Sequence, residues 1–169
     1  MGYLNSKTDP KYKDSWSTPD YIFNFLDKIY NFEVDLAASA ENAKMRPYLN
    51  EEANALGVDW SRIGHSGFCN PPYSNIKPWI EKAIEEAERG FTTVMLIPTP
   101  NGESYYEDLI INADTIIFIK GRVSFIGSDG KPKSGNNRGS CIVVFRKGLI
   151  SSSPRVGSID RDLMRMHDE

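Results

Sequence analysis

Four consecutive residues, Asn70-Pro71-Pro72-Tyr73, have the most specific chemistry in this sequence. The side-chain amide oxygen of Asn70 and the backbone carbonyl of Pro71 can each accept an N–H from an amino group on a flat, conjugated ring. Proline fixes φ and has no N–H, so the carbonyl of Pro71 is held in one direction without a competing local donor. Tyr73 offers a ring on which a base can stack. The box therefore predicts a site for a planar amine; the alternative interpretation is an ordinary loop after a strand.

The chemistry expected of this box follows from the electronic structure of such amines. The exocyclic nitrogen of adenine is a poor nucleophile because its lone pair is delocalised into the ring. Two acceptors on its hydrogens favour a pyramidal transition state over the planar ground state when the nitrogen attacks an electrophilic methyl group. Asn70 and Pro71 are therefore the candidate catalytic groups, and Pro72 and Tyr73 complete the box.

The elements around the box predict that it lies at one edge of a sheet. Residues 68–69 are apolar, residues 77–89 have the apolar spacing of a helix, and residues 92–97 read as a buried strand that Pro98 ends. In open α/β sheets, ligands bind beyond the carboxyl ends of the strands. The box follows directly after the first strand of this βαβ unit.

Other segments predict further elements of the same domain. Thr18-Pro19-Asp20 predicts the start of a helix, in which Tyr21, Ile22, Phe25, Leu26 and Ile29 recur at helical spacing and are expected to face the core. Strands are predicted over residues 32–36 and 114–118, and a brief one ends at Asp59-Trp60. Residues 121–145 predict a β-hairpin with a long polar tip over 128–138.

An ordered series of short signatures resembles a known family. From about residue 16 to residue 145 the chain resembles the phage-type DNA N6-adenine methyltransferases, which are Dam-like enzymes. The resemblance implies an abbreviated, Rossmann-like class I methyltransferase fold with three α/β/α layers and a C-terminal β-hairpin. It also implies S-adenosyl-L-methionine as the cofactor, a flipped adenine in double-stranded DNA as the substrate, and GATC as the first target to test. The signatures are Trp16-Ser17-Thr18-Pro19, Val34-Asp35-Leu36-Ala37-Ala38, Asp59-Trp60, Phe68 to Ser74, Leu96-Ile97-Pro98, Gly121 to Phe125 and Cys141 to Phe145.

The resemblance also assigns residues to the cofactor. Asp35 is expected to bind the methionine end, and Asp59 is expected to accept from the adenine amine of the cofactor, although a turn-capping role is the alternative for Asp59. Asn42 is the preferred ligand of the ribose hydroxyls, with Glu41 and Glu51 as alternatives. Thr18-Pro19 is expected near the cofactor as well as at a helix start. The full set is Thr18, Pro19, Asp35, Leu36, Ala37, Asn42, Asp59, Trp60 and Asn70.

On the substrate side, Phe125 resembles the aromatic residue that stacks on the flipped base opposite Tyr73. Lys120, Arg122, Lys131, Lys133 and Arg138 form the densest basic region of the chain, and Asn136, Asn137 and Arg138 have side chains able to read base edges. A solvated loop tip also collects such residues. The expected substrate residues are Tyr73, Ser74, Arg122, Phe125, Lys131, Lys133, Asn137 and Arg138, and Arg155, Arg161 and Arg165 are possible extensions of this surface.

Composition predicts one compact domain. The net charge of −3 and pI of about 5.5 require any DNA contact to use a local basic face. No apolar stretch reaches membrane-spanning length and no signal core is visible, so a cytoplasmic protein is expected. Cys69 and Cys141 are expected to be reduced core residues, with no metal and a monomer as the default. We expect a flexible segment over residues 1–15, a methyltransferase domain over 16–148 and a polar tail over 149–169.

Two alternative functions fit the same residues. An Asn-Pro-Pro-Tyr box also suits amines of RNA bases or the amide of a protein glutamine, and acceptor assays would separate these from DNA. A catalytically silent, DNA-binding or regulatory module of the same fold would bind cofactor without turnover. The intact Asn70 favours an enzyme.

Overall fold

The computed structural model describes residues 14–133, 136–148 and 153–168, so the predicted flexible segment lies largely outside the described residues. The helices within these ranges are α1 (Asp20–Tyr30), α2 (Lys77–Glu88), α3 (Tyr106–Asn112) and α4 (Arg161–Met166). The strands are β1 (Val34–Asp35), β2 (Ser66–Cys69), β3 (Thr92–Pro98), β4 (Thr115–Lys120), β5 (Ser140–Phe145) and β6 (Arg155–Asp160). None of the helices in these ranges has the length and hydropathy needed to cross a bilayer.

The six strands form one mixed sheet in the order β1-β2-β3-β5-β4-β6. Strands β1, β2 and β3 are parallel, β5 is antiparallel to both β3 and β4, and β6 is parallel to β4. The register places Cys69 opposite Met95, and Pro98 opposite Ser140. The end of β3 therefore meets the start of β5 at the edge where the Asn-Pro-Pro-Tyr loop leaves β2.

Helices cover both faces of the sheet, as its buried strands require. Because side chains alternate along a strand, Val94 and Leu96 of β3 pack on one face with residues of α1 and α4, while Met95 and Ile97 pack on the other with residues of α2 and α3. Both faces of β3 are thus apolar and buried. This mixed α/β arrangement agrees with the predicted α/β class and is compatible with a methyltransferase-like fold.

The first helix differs in detail from the expected one. It begins at Asp20, with Pro19 in the extended cap position at ψ 139° and without a side-chain cap, so Thr18 does not cap it. Ile22 and Leu26 are buried as predicted, but Ile29 is 54% exposed because it lies on the solvent face beyond the core stripe. Phe23, which was not predicted, takes a core position.

The connection from β1 to β2 is abbreviated, as the sequence predicted. Residues 36–65 contain two short 3-10 turns, Ala55–Gly57 and Trp60–Arg62, instead of a full helix and strand. The brief strand predicted to end at Asp59-Trp60 is therefore wrong. Asp59 instead caps the second turn, because its carboxylate accepts from the backbone N–H of Ser61.

The C-terminal part differs more strongly. The antiparallel partners are β4 and β5, and residues 121–139 connect them as an irregular loop, so the hairpin predicted over 121–145 is not confirmed in that form. Isolated bridges join Ile126 to Ser17 and to Pro132 within this loop. The segment expected to be a polar tail contributes β6, which pairs with β4, and α4, whose Met164 is fully buried.

Candidate active site

A large cavity of about 580 Å³ lies at the carboxyl ends of β2 and β3. Its walls come from the loop after β2, the loop after β3, the 121–139 loop and the chain just before α1. This volume is in the range of small-molecule and cofactor sites. Seven of the predicted catalytic and substrate residues line it: Asn70, Pro71, Tyr73, Ser74, Phe125, Asn137 and Arg138.

A narrow crevice lies next to it, at the end of β1. The structure brings together Thr18, Asp35, Ala37, Asn42 and Asn70 there, which are five of the residues predicted for the cofactor. Asp14, Trp16 and Asn70 line both spaces. Asn70 thus stands at the boundary between the expected cofactor side and the expected base side.

The amide oxygen of Asn70 is an unsatisfied acceptor. Among the described residues, Oδ1 is buried and has no hydrogen-bond partner. A buried acceptor without a donor typically costs about 1–3 kcal/mol, so such groups are rare unless a ligand or water supplies the donor. Pro71, which follows it, is buried as a residue and lines the large cavity. The structure therefore keeps an acceptor available at the position where the sequence predicts one.

Tyr73 and Phe125 meet each other directly instead of flanking an open slot. Their ring centroids are 5.9 Å apart with an interplanar angle of 87°, an edge-to-face contact. Phe125 is only 3% exposed because it belongs to the core under α1. Tyr73 is half-buried, its hydroxyl donates to the carbonyl of Leu96 at 3.3 Å, and burial raises its pKa well above the usual value. The predicted sandwich of a base between these two rings is not present in this geometry.

Asp35 organises the wall of the crevice. Its carboxylate accepts the backbone N–H of Lys44 at 2.9 Å and that of Ala37 at 3.5 Å. The residue is 2% exposed, and burial raises the pKa of its carboxyl despite these two hydrogen bonds. Leu36, the next residue, is fully buried in the core and does not line the crevice.

Asn42 is already engaged within the protein. Its Oδ1 accepts from the backbone N–H of Ser39 at 2.6 Å, and its Nδ2 donates to the carbonyl of Ser15 at 3.5 Å. Glu41 and Glu51, the alternative ribose ligands, are exposed and line neither space. Thr18 lines the crevice but is only 2% exposed, and Pro19 is not among the lining residues.

Asp59 and Trp60 lie outside both spaces. The Asp59 carboxylate accepts from the Ser61 hydroxyl at 2.5 Å and pairs with Arg62 at 3.3 Å and Arg89 at 3.8 Å. The Ser61 hydrogen bond is the main cause of its lowered pKa. Trp60 is fully buried, its indole N–H donates to the carbonyl of Ala55, and the Lys82 ammonium lies 5.7 Å from its ring. This geometry favours the turn-capping alternative for Asp59 and a structural role for Trp60.

Only part of the predicted basic surface reaches the large cavity. Arg138 lies at its mouth, where its guanidinium donates to the carbonyl of Thr99 at 3.2 Å and pairs with Glu103. Asn136, beside it, donates to the carbonyl of Val123. Lys131 and Arg122 are exposed outside the lining.

The remaining cations make intramolecular contacts away from the lining. The Lys133 and Lys120 ammonium groups pair with Asp129 at 2.7 Å and with Asp160 at 3.2 Å. The tail arginines are also engaged: Arg155 pairs with Asp114, Arg161 donates to the carbonyl of Arg122, and Arg165 lies over the ring of Tyr21.

Sequence reasoning assigned no individual role to residues 14–17, of which Asp14 and Trp16 line both spaces. The Asp14 carboxylate accepts from the Ser74 hydroxyl at 2.6 Å and from its backbone N–H at 3.3 Å. Ser17 exchanges two backbone hydrogen bonds with Ile126, at 2.8 and 2.9 Å. Trp16, between them, lines both spaces. The available signal was its place in the Trp16-Ser17-Thr18-Pro19 signature.

The mixed α/β sheet is compatible with a methyltransferase-like fold, and comparison with known proteins gives the family. The model of the Dam family, DNA N-6-adenine-methyltransferase, matches residues 5–166, and the chain belongs to this family. A DNA N-6-adenine-methyltransferase of Escherichia phage T1 is 33% identical over 86% of this chain and 68% of its own length. One of Haemophilus phage HP1 is 31% identical over 83% of each chain. The resemblance inferred from the signatures is therefore confirmed.

Proposed function

We propose that this protein transfers a methyl group from S-adenosyl-L-methionine to N6 of an adenine in double-stranded DNA. The observation that carries the proposal is the buried, unsatisfied Oδ1 of Asn70 at the boundary between the crevice and the large cavity. Membership of the Dam family and the names of two phage relatives support adenine in DNA as the acceptor.

The residues of the box activate the amine. Asn70 Oδ1 accepts one N6 hydrogen and the carbonyl of Pro71 accepts the other, which favours the pyramidal nitrogen of the transition state. When bound, the cofactor supplies an electrophilic methyl group on a sulfonium sulfur. The nitrogen lone pair forms the new N–C bond while the C–S bond breaks, with S-adenosylhomocysteine as the second product. The methylated amine then loses a proton to water in the open cavity.

The donors and acceptors of the crevice fit this cofactor chemically. Asp35 provides a carboxylate for the cationic methionine end, and Thr18 and Asn42 provide a hydroxyl and an amide. The crevice holds only about 10 Å³, far less than the roughly 300 Å³ of a small cofactor site. A cofactor anchored at Asp35 must therefore extend beyond the crevice, either into the adjoining large cavity or through outward movement of the chain before α1 or of the Ser39–Lys44 loop. A class I methyltransferase arrangement has the cofactor at the end of β1 and the base at the end of β2. The crevice and the large cavity lie at these two positions.

The large cavity accommodates a base that has left the duplex. An adenine inside a helix cannot present N6 to a buried Asn70, so the target nucleotide must be flipped, and Tyr73 offers an aromatic wall to it. Arg138 at the mouth is placed to meet a phosphate, and Asn137 lines the same side. The 121–139 loop provides this basic face on a protein with a net charge of −3.

The proposal is tested by transfer of a labelled methyl group to unmethylated duplex DNA, beside structured RNA and a protein mixture, followed by digestion to nucleosides. N6-methyladenine in DNA alone is the expected result. Label only in RNA or protein would overturn the acceptor, and cofactor binding without any transfer would indicate a silent module. Cleavage of the product by endonucleases that require or reject methylated GATC then tests GATC as the target.

A further inference from the structure

Trp16 lies between two anchors that hold it at the wall of the large cavity. Two residues before it in the chain, Asp14 binds the backbone and hydroxyl of Ser74, directly after the Asn-Pro-Pro-Tyr box. One residue after it, Ser17 pairs with Ile126 of the 121–139 loop through two backbone hydrogen bonds. The indole is therefore carried on a short span that joins the two loops expected to contact the substrate.

The aromatic side chains that line the large cavity differ from one another in how exposed they are. Trp16, Tyr73, Tyr105 and Phe125 all line it. Tyr105 and Phe125 are 6% and 3% exposed, whereas Trp16 and Tyr73 are half-buried against the core. A stacking partner must offer a ring face to the ligand, and the edge-to-face contact with Tyr73 leaves no room for a base beside Phe125. Trp16 and Tyr73 are thus the lining aromatics with surface to offer.

We propose that Trp16 supplies the second aromatic face for the flipped adenine, in the role that the sequence assigned to Phe125. This inference rests on the proposed function, because it concerns the same cavity. It identifies a base-contacting residue that acts together with Asn70, since both residues line both spaces. Indole has a large, flat π-surface, and stacking on aromatic side chains stabilises bases outside a duplex without requiring a particular sequence.

The test compares two apolar substitutions that differ in aromatic character. Trp16→Phe keeps a flat ring, and Trp16→Leu keeps apolar contact with the core but removes the ring. Trp79→Leu is the matched control, because Trp79 is also half-buried but lies on α2 outside both spaces. Each protein is assayed for kcat and KM with unmethylated duplex DNA, for S-adenosylhomocysteine affinity by calorimetry, and for thermal unfolding.

We expect Trp16→Leu to lower kcat/KM for DNA by about 5- to 150-fold, the range found when a stacking aromatic is removed. Trp16→Phe should recover most of this loss. Because Trp16 also lines the crevice, the decisive comparison is that Trp16→Leu lowers kcat/KM for DNA by more than it lowers S-adenosylhomocysteine affinity. Fluorescence provides a second readout, with 2-aminopurine substituted in turn for each adenine of the duplex. In the protein–DNA complex, the 2-aminopurine fluorescence intensity should differ between Trp16→Leu and the wild type, whereas the intensity with Trp79→Leu should equal that of the wild type.

The outcomes separate the two proposals. If the wild-type protein forms no N6-methyladenine in DNA, the proposed function fails and Trp16 has no flipped adenine to contact. If the wild type is active and Trp16→Leu matches it, only the Trp16 inference is overturned. If Trp16→Leu and Trp16→Phe lose kcat/KM for DNA equally, and both bind S-adenosylhomocysteine correspondingly more weakly, the inference is also overturned and Trp16 is assigned to the cofactor. If Trp16→Leu lowers kcat/KM only at temperatures where its lower melting temperature leaves part of the protein unfolded, Trp16 has a packing role and the inference is contradicted.

Discussion

The two sides of Asn70 differ in how ready they are for a ligand. On the base side, the large cavity of about 580 Å³ is open, and Asn70 Oδ1 has no partner among the described residues. On the cofactor side, the polar groups already bind one another: Asp35 holds Lys44 and Ala37, and Asn42 holds Ser39. One side has a buried acceptor that lacks a donor, and on the other side the acceptors already receive backbone N–H groups.

This difference indicates where conformational change must occur. A base can enter the large cavity, and only a local shift is needed to expose the buried Oδ1 to N6, because Asn70 directly follows β2 and the Tyr73 hydroxyl is held by the carbonyl of Leu96. The Asp35 carboxylate retains lone pairs for a cofactor donor beside the two backbone N–H groups that it already accepts, but the residue is only 2% exposed, so the surrounding chain must open before a cofactor can reach it. The cofactor side is thus expected to rearrange, which makes its affinity sensitive to changes in the Ser39–Lys44 loop.

The largest effect is expected at Asn70. Asn70→Ala should lower kcat by about 100- to 1,000-fold, as for the loss of one group that stabilises a transition state. Because Oδ1 has no partner in the folded protein, its removal should leave the melting temperature unchanged or slightly higher. Single-turnover methyl transfer and thermal unfolding measure the two effects. Asn112→Ala, at the end of α3, is the control, and turnover within a few-fold of wild type in Asn70→Ala would refute the role of the amide.

The next effect concerns the cofactor side. Asp35→Ala should weaken S-adenosylhomocysteine binding by about ten-fold or more, because a charge-assisted contact is lost. It should also destabilise the protein by about 1–3 kcal/mol, because the N–H groups of Lys44 and Ala37 lose their acceptor. Calorimetry and urea unfolding measure these quantities, with exposed Glu33→Ala as the control. An unchanged dissociation constant would place the cofactor elsewhere.

Asn70 and Asp35 were predictable from the sequence because short strands end directly before or at them. The predicted helix 77–89 and strand 92–97 agree with α2 and β3 to within one residue at each end, since strong periodicity and Pro98 define them. The turn cap at Asp59 was also readable, because Asp59 lies two residues before Ser61. By contrast, the Asp14–Ser74 contact joins residues 60 positions apart and has no local signal.

The C-terminal strand was not predictable for a related reason. The burial of β6 does not alternate, since its first four residues are exposed, so no period-two pattern marks it. It is a strand because its backbone pairs with β4, and its helix packs Met164 into the core beside α1. The position of Phe125 likewise depends on how the 121–139 loop packs under α1, which spacing along the sequence does not specify.

A smaller effect is expected at the mouth of the large cavity. Arg138 is held by Glu103 and the carbonyl of Thr99, so DNA must compete with these partners. Glu103→Gln should release the guanidinium and tighten DNA binding a few-fold, whereas Arg138→Ala should weaken it and reduce the slope of log K against log salt by about 1. Fluorescence anisotropy at several salt concentrations measures both, with Arg62→Ala as the control. An unchanged salt slope in Arg138→Ala would remove Arg138 from the DNA surface.

The smallest effect concerns the ionisation of Asp35. Burial raises the pKa of its carboxyl above the ordinary value of 3.8, so the folded state binds this proton more tightly than the unfolded state does. The contribution of Asp35 to stability is therefore most favourable below about pH 3.8 and declines as pH rises from that value through the raised pKa. Asp35→Asn has no such titration, and the free energy of unfolding of wild type minus that of Asp35→Asn should fall over this pH range. Urea unfolding of both proteins across the range measures the difference, and a constant or rising difference would show that the carboxyl is not penalised by burial. Because a bound cofactor cation would favour the charged form, saturating S-adenosyl-L-methionine should reduce this pH dependence, which ties the measurement to the cofactor side.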